Sequence, residues 1–547
     1  MIRQLPDYLT RAAERDPDRL ALVMGNDRLS YSELEAMTNR LARLLRAHGC
    51  RAGSRVCVVA AKTPWTIAGL LAVLKAGGMY VPVDSTSPAA RVARIFAAAQ
   101  PCLVLADPSA SRLLDDLIGN GDLSTSTPIG VLDVATQGTR WESAFTRADA
   151  AGLSAEPLER SGGPSEIAQL LFTSGSTGVP KGVMITHANV TAFVEWAVGY
   201  FGFRSTDRIS GHPPLHFDLS TFDIYGALAA GAELHLVPDG LSINPVGLAA
   251  LIRNQGLTQW FSVPSVLTYM AKFDVIAQDD FPALKRLLWC GEVLPTPVLV
   301  HWMRRLPQVR FTNLYGPTEA TIASSFYTVP ACPRDETQPV PIGMPCSGEE
   351  LLVLDQSLRS VPHGEIGDLY IAGAGLSPGY WRDEDKTAAA FLPDPRSPGF
   401  PARIYRTGDL ARVGDDQLVY FLGRTDSQIK SRGYRIELGE IEAAVNAIPG
   451  VRECAVVGIA TGGFEGITIC CAFSPLDGVE LSPPGLRQQL TRLLPAYMLP
   501  TRWMGLATLP KNVNGKIDRK EIQDRFAKNA TATPEENGTA AGNMATR

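Results

Sequence analysis

Nothing in this chain is apolar for long enough to cross a bilayer. Runs such as VCVVAA at 56–61 fall far short of the roughly 20 residues a spanning helix needs, so no membrane partner is expected. Basic residues form no dense stripe, and the formal net charge of −5 argues against a nucleic-acid partner. Metal-site spacing is missing as well. The nine cysteines include no CxxC pair and no His/Cys pattern, which suits reduced thiols in a cytosolic protein better than disulfides or zinc. The opening segment, MIRQLPDYLTRAAERDPDRLAL, carries acidic residues throughout and no apolar h-region. It does not read as a secretory signal, and the expected location is cytoplasmic. No repeat of fixed period is visible. With 45% apolar and 20% charged residues the composition is that of a soluble globular protein, and 547 residues are too many for one core, which predicts two to four domains.

What is present is an alternation of helices and short buried strands. YSELEAMTNRLARLLRAHG (31–49) has apolar residues at helical spacing; strand RVCVVAA, helix TIAGLLAVLKAG, strand MYVPVD, helix RVARIFAAAQ and strand CLVLAD follow. That order predicts a parallel sheet covered by helices. A similar rhythm returns after residue 190, from TAFVEWAVGYF through AELHLVP, LAALIRNQ, QWFSV and VLVHWMRRL to VRFTNLYG, predicting a second α/β layer. From about residue 340 the Gly-punctuated segments LLVLD, GEIGDLYIAG and QLVYFLGR predict a small antiparallel β region. A compact α+β pattern closes the chain, with IELGEIEAAVNAI and LRQQLTRLL as helices and CAVVGIA and ITICCAFS as strands. The expected fold class is α/β: a large N-terminal domain of two layered α/β subdomains plus a small β region, then a small α+β C-terminal domain. The expected boundaries are 1–425, 426–526 and a polar tail at 527–547 without a core-forming pattern, read as disordered.

The stretch LFTSGSTGVPKG at 171–182 concentrates Gly, Ser and Thr ahead of a lysine. A P-loop would read GxxxxGK[ST] and open a helix. Here Pro180 precedes Lys181 and no Ser or Thr follows it, so that reading fails. The physical logic of a phosphate loop survives: glycines admit the backbone to phosphate oxygens, while Thr173, Ser174, Ser176, Thr177 and one cation supply donors.

TSGSTGVPKGV resembles the signature of the adenylate-forming superfamily, which includes acyl-CoA synthetases, luciferases and the adenylation domains of nonribosomal peptide synthesis. Eight more motifs follow that family's pattern in order: LSYSELE (29–35), LKAGGMYVPVD (74–84), HFDLSTFD (216–223), NLYGPTEAT (313–321), YRTGDL (405–410), GRTDSQIKSRGYRIELGEIE (423–442), LPAYMLP (494–500) and NGKIDRK (514–520). The resemblance covers the chain to about residue 525 and implies ATP and Mg²⁺ as cofactors. It assigns Thr173, Ser174, Gly175, Ser176, Thr177, Gly178 and Lys181 to the β and γ phosphates, Glu319 to Mg²⁺ and Thr318 to the α-phosphate. Tyr315 would stack on adenine with Gly291 leaving room for the ring, and Asp409 and Arg424 would reach the ribose. Phe421, also grouped with the nucleotide, stands where the family often has Tyr. Read without the family, Glu319 also suits a helix cap, Asp409 a β-turn and Lys516 a solvated turn. The resemblance instead makes Lys516 the catalytic cation, Asp426 the hinge of a mobile C-terminal domain, and Lys430, Arg432, Gly433 and Tyr434 the loop that replaces Lys516 for the thiol-transfer step.

Asp218 in HFDLS implies an amino-acid substrate, because in this family an Asp there pairs with the α-ammonium. Its local alternative is an Asx turn with Ser220. The side-chain pocket implied by the same motifs is Leu219, Phe222, Phe261, Leu288, Cys290, Leu314, Ile322 and Ala323. None is charged, and two Phe leave little volume. A small neutral L-amino acid is therefore expected, alanine first, with 2-aminobutyrate, glycine, proline or valine behind it. The expected acceptor is the phosphopantetheine thiol of a separate carrier protein met in trans by a stand-alone enzyme. The alternative is an acyl- or aryl-CoA ligase that transfers to free CoA.

Overall fold

In the computed structural model, residues 2–133, 139–160, 162–175, 179–397, 402–461, 466–512 and 516–531 are described. They fall into two compact units: Met1–Ser174, Pro180–Asp426 and Arg432–Tyr434 in one, and Gly175–Val179, Ser427–Ser431 and Arg435–Arg547 in the other.

The first unit holds two large sheets. A seven-stranded sheet pairs Arg55–Val59 in parallel with Met79–Pro82 and Leu103–Ala106, and ends in the antiparallel pair Ile167–Thr173 and Lys181–Thr186. A nine-stranded sheet contains the parallel run Arg208–Gly211, Gln259–Ser262, Arg286–Trp289 and Arg310–Tyr315. These four strands are buried along most of their length, as strands inside a parallel run are. The helix Pro64–Ala76 shows how local sequence sets an element. The Thr63 side chain accepts from Thr66 N, Pro64 supplies a preset first turn, and Gly77 ends the helix at φ 93°. Nearly every residue of that helix is buried, as an all-round apolar sequence requires. One apolar cluster joins Val56, Val58 and Leu105 of the first sheet to Leu234, Phe261 and Leu288 of the second, so the two layers share a core.

A five-stranded antiparallel sheet follows, built on Glu349–Leu354, Gly367–Gly373, Phe391–Pro393, Arg403–Val413 and Val419–Arg424. The second unit contains the helix Leu438–Asn446 and the strands Val451–Ala460, Ile467–Pro475 and Arg502–Gly505.

One element adds to the expectations from sequence and two correct them. The hairpin Leu20–Met24/Asp27–Ser30 was not anticipated, and it joins the second sheet rather than the first by parallel pairing with Glu233–Leu236. The helix expected from Ile436 begins at Leu438, because Tyr434–Glu437 is a strand. The helix Arg519–Thr531 runs past the expected start of the tail at 527, its Ile522 and Phe526 buried one turn apart. Residues 532–547 lie outside the described residues.

Candidate active site

The glycine-rich stretch joins two antiparallel strands, with Thr173 opposite Lys181. A P-loop runs from a strand into a helix, so the hairpin settles why that spacing fails. Ser174 is buried. The Thr173 hydroxyl is buried without a hydrogen-bond partner among the described residues. Gly175 groups with the second unit. Ser176, Thr177 and Gly178 lie outside the described residues. The Lys181 ammonium sits 4.9 Å from the centroid of the Tyr380 ring.

The strand Arg310–Tyr315 delivers the next group. Gly316 turns the chain where a Cβ would lie 2.5 Å from the Ala323 Cα, so no side chain fits. A short 3-10 turn, Thr318–Ala320, then carries Glu319 into full burial beside the partly buried Thr318. Pro317, at the N-cap of this turn, makes no side-chain cap bond. Glu319 Oε1 accepts a hydrogen bond from the Tyr380 hydroxyl at 2.8 Å instead.

Asp409 sits in a strand opposite Arg424, not in a β-turn. The Tyr315 hydroxyl and Arg424 Nη1 both donate to its carboxylate, which is 3% exposed. Arg424 continues as a fork onto Asp426, at 2.8 Å and 2.7 Å. Burial, then the neighbouring Asp409 charge, holds the Tyr315 hydroxyl protonated well above the usual phenol range. Phe421 packs against the apolar cluster that contains Tyr315. Gly291 has φ 97°, and a Cβ there would meet nothing closer than Val263 at 3.9 Å, so the open side is real.

Asp218 is the first residue of the helix Asp218–Ala230 and is 8% exposed. The Asx turn with Ser220 does not form as a hydroxyl contact, because Ser220 Oγ donates to Phe217 O at 2.7 Å. All eight apolar residues named from the motifs fall in one buried cluster. The Phe222 ring meets Phe261 edge-on at 5.7 Å and Phe193 at 5.2 Å. Phe261 lies opposite Leu288 on adjacent strands. The Cys290 thiol donates weakly to Ile322 O at 3.8 Å, the role of a small buried residue rather than a nucleophile. Thr321 and Ile322 take φ 56° and 71°, and Ala323 N closes onto Thr321 O at 2.9 Å. A β-branched residue in the left-handed region is strained, and this turn lies between the strands Arg310–Tyr315 and Ser325–Thr328.

Lys516 and Lys430 belong to the second unit. Lys516 is exposed on a turn where its N–H donates to Asn512 Oδ1 at 3.1 Å and its carbonyl accepts from Asn512 N at 2.7 Å. Arg432–Tyr434 groups with the first unit, and Arg432 and Gly433 have φ 54° and 79°. The string Gly162–Ser165 matches the GGxS pattern of carrier domains, yet it lies in the turn before the strand Ile167–Thr173, inside the core unit.

Sequence reasoning missed Tyr380 and Phe193. Tyr380 stands in Pro-Gly-Tyr-Trp, and nothing in that string points to a carboxylate partner.

The chain matches the family model for AMP-binding enzymes over residues 9–381 and that for the AMP-binding enzyme C-terminal domain over 440–516. An L-proline–[L-prolyl-carrier protein] ligase of Streptomyces coelicolor is 35% identical over 91% of this chain and 92% of its own length. Tyrocidine synthase 3 of Brevibacillus parabrevis is 34% identical over 97% of this chain, which spans 8% of that protein. Among solved structures, holo-PA1221, a nonribosomal peptide synthetase protein with adenylation and carrier domains, superposes with a TM-score of 0.78 at 27% identity, covering 95% of this chain and 84% of that one.

Proposed function

The chain belongs to the AMP-binding enzyme family, and on that premise we propose that it activates a small neutral L-amino acid as its aminoacyl adenylate and passes it to a carrier-protein thiol. In the first step a carboxylate oxygen attacks the α-phosphorus of ATP and the bond to pyrophosphate breaks. In-line displacement of this kind needs positioning and charge neutralisation more than covalent help from the protein.

The residues fit a magnesium nucleotide. Glu319 is a buried, acceptor-only oxygen donor of the hard type Mg²⁺ takes, with the Thr318 hydroxyl adjacent in sequence. The Lys181 ammonium and the Thr173 hydroxyl, the latter without a hydrogen-bond partner among the described residues, stand opposite each other on the two strands that flank the glycine-rich stretch. Bound Mg²⁺ would neutralise phosphate charge and template the displacement. Asp409 and Arg424 hold the ribose in this reading, with Asp409 accepting hydroxyl hydrogens through its remaining lone pairs. Lys516 stabilises the charge that develops at the α-phosphate, and the loop at Lys430–Tyr434 serves the transfer step after the second unit turns about Asp426.

The observation that carries the substrate class is the placement of Asp218. It lies one turn from Phe222 on the same helix, next to the buried cluster that holds all eight pocket residues. A carboxylate there is matched by an α-ammonium, and a lining of buried apolar side chains without a charged group accepts a short uncharged side chain. Alanine leads on volume. Proline follows, the amino acid in the name of the Streptomyces coelicolor relative.

The test is exchange of labelled pyrophosphate into ATP across the proteinogenic amino acids and a few small non-proteinogenic ones. Exchange confined to one small neutral amino acid is the expected result. Exchange with aliphatic or aryl acids and none with amino acids would overturn the reading of Asp218 and favour CoA ligation.

A further inference from the structure

Lys181 and Glu319 come from different motifs, and one side chain touches both. The Tyr380 hydroxyl donates to Glu319 Oε1 at 2.8 Å, while its ring lies 4.9 Å from the Lys181 ammonium. Tyr380 is 4% exposed and Glu319 0%, so water does not compete for the hydroxyl–carboxylate bond. An ammonium within about 6 Å of a ring centroid is held by the aromatic quadrupole.

The backbone fixes this arrangement from both sides. Trp381 N donates to Gly182 O at 2.7 Å and Met184 N to Gly379 O at 3.0 Å, so the segment around Tyr380 runs alongside the strand that begins at Lys181. Tyr380 N donates to Thr387 Oγ1 at 2.9 Å. Ser377 closes the other end: its N–H donates to Glu319 O at 2.9 Å and its hydroxyl to Met184 O at 2.6 Å. Tyr380 cannot shift without moving the lysine strand, the glutamate turn or both.

We propose that Tyr380 is a positioning residue that holds Lys181 and Glu319 in one fixed arrangement for a magnesium nucleotide. The proposal rests on the reading of Glu319 as the metal carboxylate and Lys181 as the phosphate cation. The hydroxyl and the ring act separately. The hydroxyl orients the carboxylate by holding one of its oxygens, and the ring holds the ammonium without presenting it with a strong acceptor. Loss of the hydroxyl therefore affects the metal, and loss of the ring affects the nucleotide even without metal.

The test is calorimetric binding of α,β-methylene-ATP to the full chain at a series of Mg²⁺ concentrations, for the wild type and for Tyr380→Phe, Tyr380→Leu and Glu319→Gln. Tyr380→Phe fills the same ring volume, and the loss of one buried hydrogen bond should lower its melting temperature by only a few degrees, leaving a folded chain to titrate. It should raise the Mg²⁺ concentration for half-maximal binding about tenfold, as the loss of a group that orients a metal ligand does, and leave metal-free affinity unchanged. Tyr380→Leu should weaken metal-free binding as well. A wild-type Mg²⁺ requirement in Tyr380→Phe, alongside a raised one in Glu319→Gln, overturns the role of Tyr380 and leaves that of Glu319 standing. A wild-type requirement in Glu319→Gln overturns both. Unchanged metal-free affinity in Tyr380→Leu overturns the part given to the ring.

Discussion

Asp218 and Glu319 are both buried acids, and their places in the fold separate the roles proposed for them. Glu319 is held by Tyr380, whereas Asp218 opens a helix whose next residues, Leu219 and Phe222, enter the apolar cluster. A negative charge at a helix N-terminus is favoured by the unpaired N–H groups there, so Asp218 is well placed to meet a substrate cation. A charge-assisted hydrogen bond is worth about 1.5–3 kcal/mol. Asp218→Asn should therefore lower kcat/KM for the amino acid about a hundredfold in pyrophosphate exchange, a loss of that size, while nucleotide binding stays intact. An equal loss of ATP affinity in that variant would place Asp218 in the nucleotide site instead.

At the scale of elements, the turn after Arg310–Tyr315 is the part of the site most sensitive to a single methyl group. A Cβ on Gly316 would meet the Ala323 backbone at 2.5 Å, with Ser324 N at 2.9 Å, and backbone cannot rotate away. Gly316→Ala should cost about 1–3 kcal/mol as overpacking does, displace the Thr318–Ala320 turn and abolish exchange more completely than it lowers the melting temperature. A variant with wild-type exchange would show that the turn does not fix Glu319. Motif order named Asp218, Glu319, Asp409 and the eight apolar positions as candidates beforehand, because adenylate-forming chemistry asks for those residue types at that spacing. The apolar positions share one cluster because Phe261, Leu288 and Leu314 come from neighbouring strands, Leu219 and Phe222 from one helix, and Cys290, Ile322 and Ala323 from the turns that follow two of those strands. Tyr380 was not legible, since its partnership with Glu319 arises from a segment returning beside the strand Lys181–Thr186. The Leu20–Ser30 hairpin was passed over because its two-residue Gly25-Asn26 turn separates very short strands, and its partner, Glu233–Leu236, is remote in sequence. The helix at Leu438 was placed two residues early because Ile436 continues the apolar pattern backwards into a strand.

At the scale of the whole core unit, the first residues of the chain are tied to its centre by a neutral histidine. Leu5 N donates to His187 Nδ1 at 3.2 Å, and His187 opens the helix His187–Phe201. Burial, then the Arg160 charge, pushes His187 down to about 4 from an ordinary value of 6.5. Burial, then the Lys62 charge, does the same to His212, down to about 3. In both cases the unfolded chain takes up protons at a pH where the folded one does not. The stabilisation is therefore complete above pH 6.5 and is lost as pH falls from there towards the folded values. For His187 alone the loss amounts to about 2 kcal/mol by pH 5, with His212 adding to it. The urea midpoint of the main transition should fall between pH 7.5 and pH 5. His187→Asn, which keeps an acceptor but cannot titrate, should show a shallower fall despite a lower starting midpoint. Equal slopes in the two proteins would mean that His187 titrates alike in the folded and unfolded chain, or that the Leu5 contact opens before the core does.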